Sequence, residues 1–405
     1  MLFSSGMECD ECGRKVELST VFVCPSCSRP ISVTYNYEAI SLVLTQKALS
    51  ERERALGVWR YRELLPVHDP SLRISLAEGG TPLIRCPELG RKLRMRNLYT
   101  KLEGLNPTGS FKDRGSAAGV SFALERKMKA VGCVSTGNMA ASTAAYAARA
   151  RVRCFIFVPT FVTAEKVTQT LAYGARLISV KDLAYDQMYD QSHMIGSKEG
   201  IYMINSNSPL RVEGQKTFSY ELCEDLNWAV PDWVVIPTSS GGNIYAVWKG
   251  FKEFKQLGFI DKLPKLLLAQ TEGCAPIATA FKRERDKVEP FPNPHTIATA
   301  LLNPKPPGGD RALRAVRESR GTASTASDQQ ILEASRELAS SEGIFCEPAA
   351  ATGYAVLKNL VKEGVIQPDE TVVLDVTGVG FKDMKAAEKI AGKIETADKL
   401  EGFRL

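Results

Sequence analysis

The sequence predicts an α/β protein of two lobes, each a largely parallel twisted sheet flanked by helices, preceded by a small cysteine-bearing segment. Three observations carry this. Strand-length apolar runs alternate with Ala-rich stretches of helical period, the pattern of parallel sheets covered by helices. At 405 residues, 44% of them hydrophobic, the chain exceeds one average domain and can bury more than one core. Ahead of the alternation stand four cysteines in two Cys-x2-Cys knuckles.

The elements follow in order. Residues 1–35 hold Cys9, Cys12, Cys24 and Cys27, with "GRKVELSTVFV" between the knuckles as a candidate hairpin. Four thiolates so spaced can converge on one zinc as in a zinc ribbon, a closed and therefore structural site; the alternative is four reduced thiols that bind nothing. Strands are expected at 97–102, 130–135, 153–159, 176–180, 201–205, 233–238, 265–270 and 371–376. Helices are expected at 110–128, 139–150, 163–173, 212–226, 242–256, 328–341 and 348–363. The lobes divide as 36–220 and 221–405. "EPFPNPHT" and "LLNPKPPGGD" are Pro-rich and read as loops over a site. The other six cysteines, Cys86, Cys133, Cys154, Cys223, Cys274 and Cys346, lack ligand spacing and read as small buried hydrophobes.

Composition excludes several classes of function. With 52 Lys+Arg against 46 Asp+Glu and no basic block, nucleic acid is not an expected partner. Apolar runs are strand-length, so no membrane association is expected, and the first residues lack the pattern of a secretory leader. A cytoplasmic enzyme acting on an anionic small molecule fits this balance.

Four loops at strand ends carry chemistry, where open α/β sheets bind ligands. "NPTGSFKDRG" follows the first strand; Ser110 is a candidate cap, and Lys112 falls in the first helical turn, where the dipole helps lower an ammonium pKa. A lysine so tuned is a Schiff-base amine; the plain alternative is a solvated lysine. "STGN" brings Ser135, Thr136 and Asn138 to a helix N-terminus suited to a carboxylate. "TSSGGN" offers Ser239, Ser240, Gly241, Gly242 and Asn243 as a phosphate cradle that is neither a P-loop nor a dinucleotide fingerprint. "TGVGFKD" ends the last strand with the hydroxyl of Thr377.

Together with "NSNSPLRVEGQKT", "TIATAL" and "EGIFCEPAAA", in that order along the chain, these loops closely resemble the threonine synthase family within the fold-type II enzymes that use pyridoxal 5'-phosphate. The resemblance spans nearly the whole chain. It implies that Lys112 is the Schiff-base lysine and catalytic proton shuttle, and that Asn138 meets the cofactor's phenolic oxygen. It assigns the cofactor phosphate to Ser239 through Asn243 and the pyridine nitrogen to Thr377. Ser135 and Thr136 would bind substrate, and Asn205, Ser206 and Arg211 would grip its phosphate. The implied reaction is conversion of O-phospho-L-homoserine and water to L-threonine and phosphate by a homodimeric lyase. A sister enzyme acting on O-phosphoserine, cysteate synthase-like, and a serine or threonine dehydratase are the alternatives. Three departures stand out: Met139 where the family often has Thr, Ser240 where it has an asparagine that helps bind the substrate phosphate, and "NPKPPGG".

Overall fold

The computed structural model describes residues 3–160, 164–181, 183, 185–392 and 394. Its strands, in chain order, are β1 (Ser4–Cys9), β2 (Lys15–Val16), β3 (Ile31–Tyr35), β4 (Leu83–Arg85), β5 (Asn97–Lys101), β6 (Ala130–Val134), β7 (Arg153–Pro159), β8 (Arg176–Val180), β9 (Ile201–Met203), β10 (Trp233–Pro237), β11 (Lys265–Thr271), β12 (Thr322–Ala326) and β13 (Thr371–Asp375). They form three sheets: β2-β1-β3, β12-β11-β10-β13-β5-β4 and β8-β7-β6-β9. All pairings in the four-stranded sheet are parallel, and the six-stranded sheet is parallel except at its β4 edge. β6 and β10 are buried at every residue, as strands covered by helices on both faces must be.

The expected division at residue 220 does not follow the sheets. β4 and β5 come from the N-terminal half, yet β5 lies against β13 in the large sheet, with Thr100 opposite Leu374. The small sheet, β6 to β9, is an excursion between β5 and β10. In the six-stranded sheet the chain winds outward through β10, β11 and β12, then crosses back to place β13 on the other side of β10. The crevice between β10 and β13 is therefore a topological switch point.

The expected single helix at 212–226 is two, Pro209–Gln215 and Thr217–Asp225, meeting at Lys216, whose buried ammonium pairs with Glu213 and Glu253. The expected helix at 163–173 is observed as Ala164–Ala172; residue 163 lies outside the described residues. Ser110 does not cap its helix. Phe111 holds the cap position without a side-chain bond, Ser110 Oγ is buried with no partner among the described residues, and its backbone bridges to Gly378. The six cysteines outside the knuckles are all buried and free. No helix among the described residues is long and apolar enough to cross a membrane.

Candidate active site

A cavity of roughly 680 Å³ opens at the carboxyl ends of β5, β6, β10 and β13. All four chemically loaded loops line it. Each is where it is because a parallel strand delivers it to the same edge.

The first loop shows how one lysine is set apart from its neighbours. Asn106 Oδ1 accepts from Gly79 N (2.9 Å) and its amide donates to Glu103 O (2.8 Å). Asp113 accepts from Thr108 N (2.7 Å) and Thr108 Oγ1 (2.6 Å). Arg114 is fully buried between the carboxylates of Glu103 and Glu221. The loop is then tied to the last strand's turn by Phe111 N to Thr377 O (3.1 Å) and Val379 N to Gly109 O (3.0 Å). These groups hold backbone; Lys112 alone among the loop's charged residues lines the cavity. Burial, and next the nearby Arg211 cation, pull its ammonium down to about 7.

Ser135, Thr136 and Asn138 line the cavity at the start of the helix Asn138–Ala150. Asn138 Nδ2 donates to both oxygens of Glu347 (3.0 and 3.1 Å), so its amide is oriented before any ligand arrives. Glu347 is buried, and burial raises its carboxyl pKa. Across the cavity, Ser239 to Asn243 open the helix Gly242–Gln256. Gly241 has φ +86°, and a Cβ there would collide with the carbonyl oxygen of Gly308. A Cβ on Gly242 would come within 2.8 Å of Ser206 O. Backbone thus packs where side chains cannot, and the start of the helix reaches the cavity as main chain. Asn243 Nδ2 donates to Asp375 Oδ2 (2.8 Å) beneath, while Thr377 lines the wall.

The segment after β9 divides differently from expectation. Ser206 and Arg211 line the cavity, but Asn205 does not. Its side chain is fully buried, accepting from Val134 N (2.9 Å) and donating to Ser192 Oγ (2.9 Å). Its amide nitrogen also lies 3.4 Å from His193 Nε2, so Asn205 is turned toward the end of β6 and its neighbours and away from the cavity. Arg211 is the opposite case. It is fully buried; among the described residues its side-chain hydrogen bond runs from Nη1 to Ser116 Oγ at 3.3 Å, and Nε and Nη2 find no partner there. Burial lowers its pKa to about 10, still a cation at neutral pH. A buried guanidinium with two unused donors is costly unless an anion completes it.

Sequence reasoning gave no role to Glu347, Gln215, Asn303 or Lys382, which also line the cavity. Glu347 lies inside "EGIFCEPAAA", and a carboxyl ahead of Pro348 and an Ala-rich helix was the signal that could have found it.

Outside the cavity lining, the Sγ atoms of Cys9, Cys12, Cys24 and Cys27 lie within 4.8 Å of one another. Cys9–Cys27, Cys12–Cys24 and Cys12–Cys27 are 3.4, 3.7 and 3.6 Å apart. A tetrahedron with Zn–S of about 2.3 Å has edges of about 3.8 Å. The spacer does not form its own hairpin: Lys15–Val16 pairs with β1, which also pairs with β3.

Residues 74–378 match the family model described as pyridoxal-phosphate dependent enzyme. The chain is 45% identical to a threonine synthase of Methanocaldococcus jannaschii over 94% of this chain and 93% of that one. It is 42% identical to a threonine synthase of Methanosarcina acetivorans over 93% and 92%. Among solved structures, maize serine racemase superposes with a TM-score of 0.64 at 24% identity, covering 76% of this chain and 90% of that one. The processed threonine deaminase isoform 2 of Solanum lycopersicum gives 0.66 at 19%, covering 82% and 92%. At those identities the two structures speak for the fold alone.

Proposed function

The chain belongs to the pyridoxal-phosphate dependent enzymes and, within them, to the threonine synthase family, and from that premise we propose that its cavity converts O-phospho-L-homoserine and water to L-threonine and phosphate. The observation that carries the reading is Arg211, a buried cation in the wall of the cavity whose Nε and Nη2 have no partner among the described residues. A planar fork of this kind matches the oxygens of a phosphate monoester.

The residues fit the cofactor. Lys112 offers an amine near neutrality, the Ser239–Asn243 turn offers N–H groups in a cradle that side chains would fill, and Asn138 and Thr377 bring neutral polar groups to the same space. When bound, pyridoxal phosphate supplies an electron sink that makes the α-hydrogen of an amino acid acidic.

The chain's own residues do the rest. Lys112 would hold the cofactor and, once the substrate's amine has displaced it, its Nζ would take and return protons; burial already draws the free amine toward neutrality. Thr377 would face the ring nitrogen with a hydroxyl, which cannot stabilise a protonated ring as a carboxylate would, favouring elimination and replacement over transamination. Asn138, held by Glu347, would face the phenolic oxygen. Ser135 and Thr136, with the N–H groups of their helix, would bind the substrate carboxylate. Ser206 and Arg211 would hold the phosphate as it leaves the γ-carbon, with water adding at the β-carbon. Asn205 would act only through the β6 end it positions.

The reading includes a structural zinc on the four N-terminal cysteines, a homodimer, and a cytoplasmic location. Phosphate release from O-phosphohomoserine is expected to exceed release from O-phosphoserine. Faster release from phosphoserine would overturn it in favour of the sister enzyme, which Met139 and Ser240 in the cavity wall would then explain.

A further inference from the structure

Two of the stretches that depart from the family pattern touch each other. Ser240, in the turn after β10, and the segment 303–309 are joined by Gly308 N to Ser240 O (2.9 Å) and by Asn303 Nδ2 to Ser240 Oγ (3.0 Å). The fit is close: a Cβ on Gly308 would come within 2.7 Å of Ser240 O. The partner segment is itself fixed, with Phe291 N donating to Pro304 O (2.9 Å) and Gly309 N to Pro306 O (3.0 Å). Both Asn303 and Ser240 line the cavity, together with Ser206, Arg211 and Gln215, and Asn303 is only 8% exposed.

The direction of the side-chain bond matters. A serine hydroxyl has one proton and two lone pairs. When the Asn303 amide donates to Ser240 Oγ, the hydroxyl is used there as an acceptor, and its own proton is left for another acceptor. In this cavity Gln215 Oε1 is one acceptor without a partner among the described residues, and a phosphate oxygen held beside the Arg211 guanidinium is the other kind that would take the proton. We propose that Asn303 is a positioning residue for the phosphate monoester site: by filling one lone pair of Ser240 Oγ it turns the hydroxyl proton toward the ligand, so that two short loops together supply a donor that a longer side chain at position 240 would supply alone. The inference rests on the proposed function only in that the ligand is a phosphate monoester. That phosphate is either the cofactor's or the substrate's, and the two are separable.

The test uses the full chain with three readouts: inhibition of the loaded enzyme by inorganic phosphate, titration of cofactor-free protein with pyridoxal phosphate against pyridoxal, and thermal unfolding. Asn303→Ala and Ser240→Ala are each expected to weaken phosphate binding roughly tenfold, the scale of one hydrogen bond to a charged group. Asn303→Asp is expected to weaken it further, because a carboxylate accepts from Ser240 and repels the anion. The double variant Asn303→Ala/Ser240→Ala is expected to lose no more than either single one. Ser240→Asn in the Asn303→Ala background is expected to restore binding, which a merely structural Asn303 would not allow.

A weakened inhibition constant with unchanged pyridoxal phosphate affinity assigns the site to the substrate. A loss of preference for pyridoxal phosphate over pyridoxal, with the inhibition constant unchanged, assigns it to the cofactor. Additive losses, failure of the rescue, or changes below twofold in both readouts overturn the proposal. So do losses that follow unfolding temperature rather than phosphate. Failure of the functional reading is a different result, in which wild-type protein binds phosphate as described yet releases none from phosphohomoserine.

Discussion

An exposed lysine, with a pKa near 10.4, is neutral at pH 7 in fewer than roughly one molecule in a thousand; Lys112, at about 7, is neutral in about half. The ammonium is the unreactive form, so reactivity rises with pH through about 7 and levels off above it. In cofactor-free protein, labelling of the Lys112 peptide by an amine-directed reagent is expected to show that midpoint, while surface lysines keep gaining rate toward pH 10. A midpoint near 10 would show that burial does not tune this amine. Arg211 is the second-largest cause of the depression, so Arg211→Ala is expected to move the midpoint upward. If Arg211 holds the substrate phosphate as proposed, the same substitution is expected to lower kcat/KM for phosphohomoserine by about 2–4 kcal/mol. Deamination of L-threonine is the control, since that substrate has no phosphate for Arg211 to hold. Equal losses on both would make Arg211 structural.

At the scale of elements, the turn after β10 depends on backbone that only glycine allows. Gly241→Ala puts a Cβ against Gly308 O at φ +86°, whereas Gly258→Ala, at φ +74°, meets nothing within 4 Å. Denaturant midpoints should therefore separate two costs. Gly258→Ala carries the left-handed penalty alone, on the order of 1 kcal/mol. Gly241→Ala adds a collision and a displaced phosphate cradle, so it is expected to cost more and to weaken cofactor binding as well. Equal costs would mean that the loops move apart freely. Gly241 and Gly242 were legible because a Gly-Gly pair in the turn after an apolar run marks a place that backbone or ligand must approach closely. Most strands were legible as well, since continuous Val, Ile and Leu runs such as "WVVIP" mark buried parallel strands. β12 was not: "TASTA" has no large apolar residue, and its pairing with β11 makes it a strand. Helices Tyr185–Glu199 and Gly309–Glu318 were hidden for a related reason, being rich in polar and charged residues. In the site, Lys112 and Arg211 could be found by motif, but the burial of Asn205 could not. An asparagine in a polar loop looks the same in sequence whether its amide faces a ligand or a neighbouring strand.

For the molecule as a whole, the cysteine-bearing sheet is a clip across the two lobes. Asp10 pairs with Arg311 (2.6 Å) and Ser32 Oγ lies 2.7 Å from Tyr245 OH, both on helices beside the large sheet. Arg126 donates to Leu18 O (2.6 Å) and the Phe22 ring lies 4.1 Å from His193, on the side of the small sheet. Metal analysis is expected to find about one zinc per chain. Chelation should lower the unfolding temperature through loss of both sets of contacts, and Asp10→Ala, which strands a buried Arg311, should cost about 3–5 kcal/mol. Finding no metal in freshly purified, reduced protein would refute the zinc assignment. The pairing of β5 with β13 acts on another axis, that of time. Thr100 must wait for Leu374 before the centre of the large sheet can close. A chain emerging from the ribosome has β6 to β9 complete long before β13 exists, so the small lobe can assemble early while β5 is held open. The turn that presents Lys112 is fastened to Thr377 and Val379. The amine is therefore fastened in place only after synthesis has passed Val379, so a chain cut short of that point is expected to lack the anchored lysine turn.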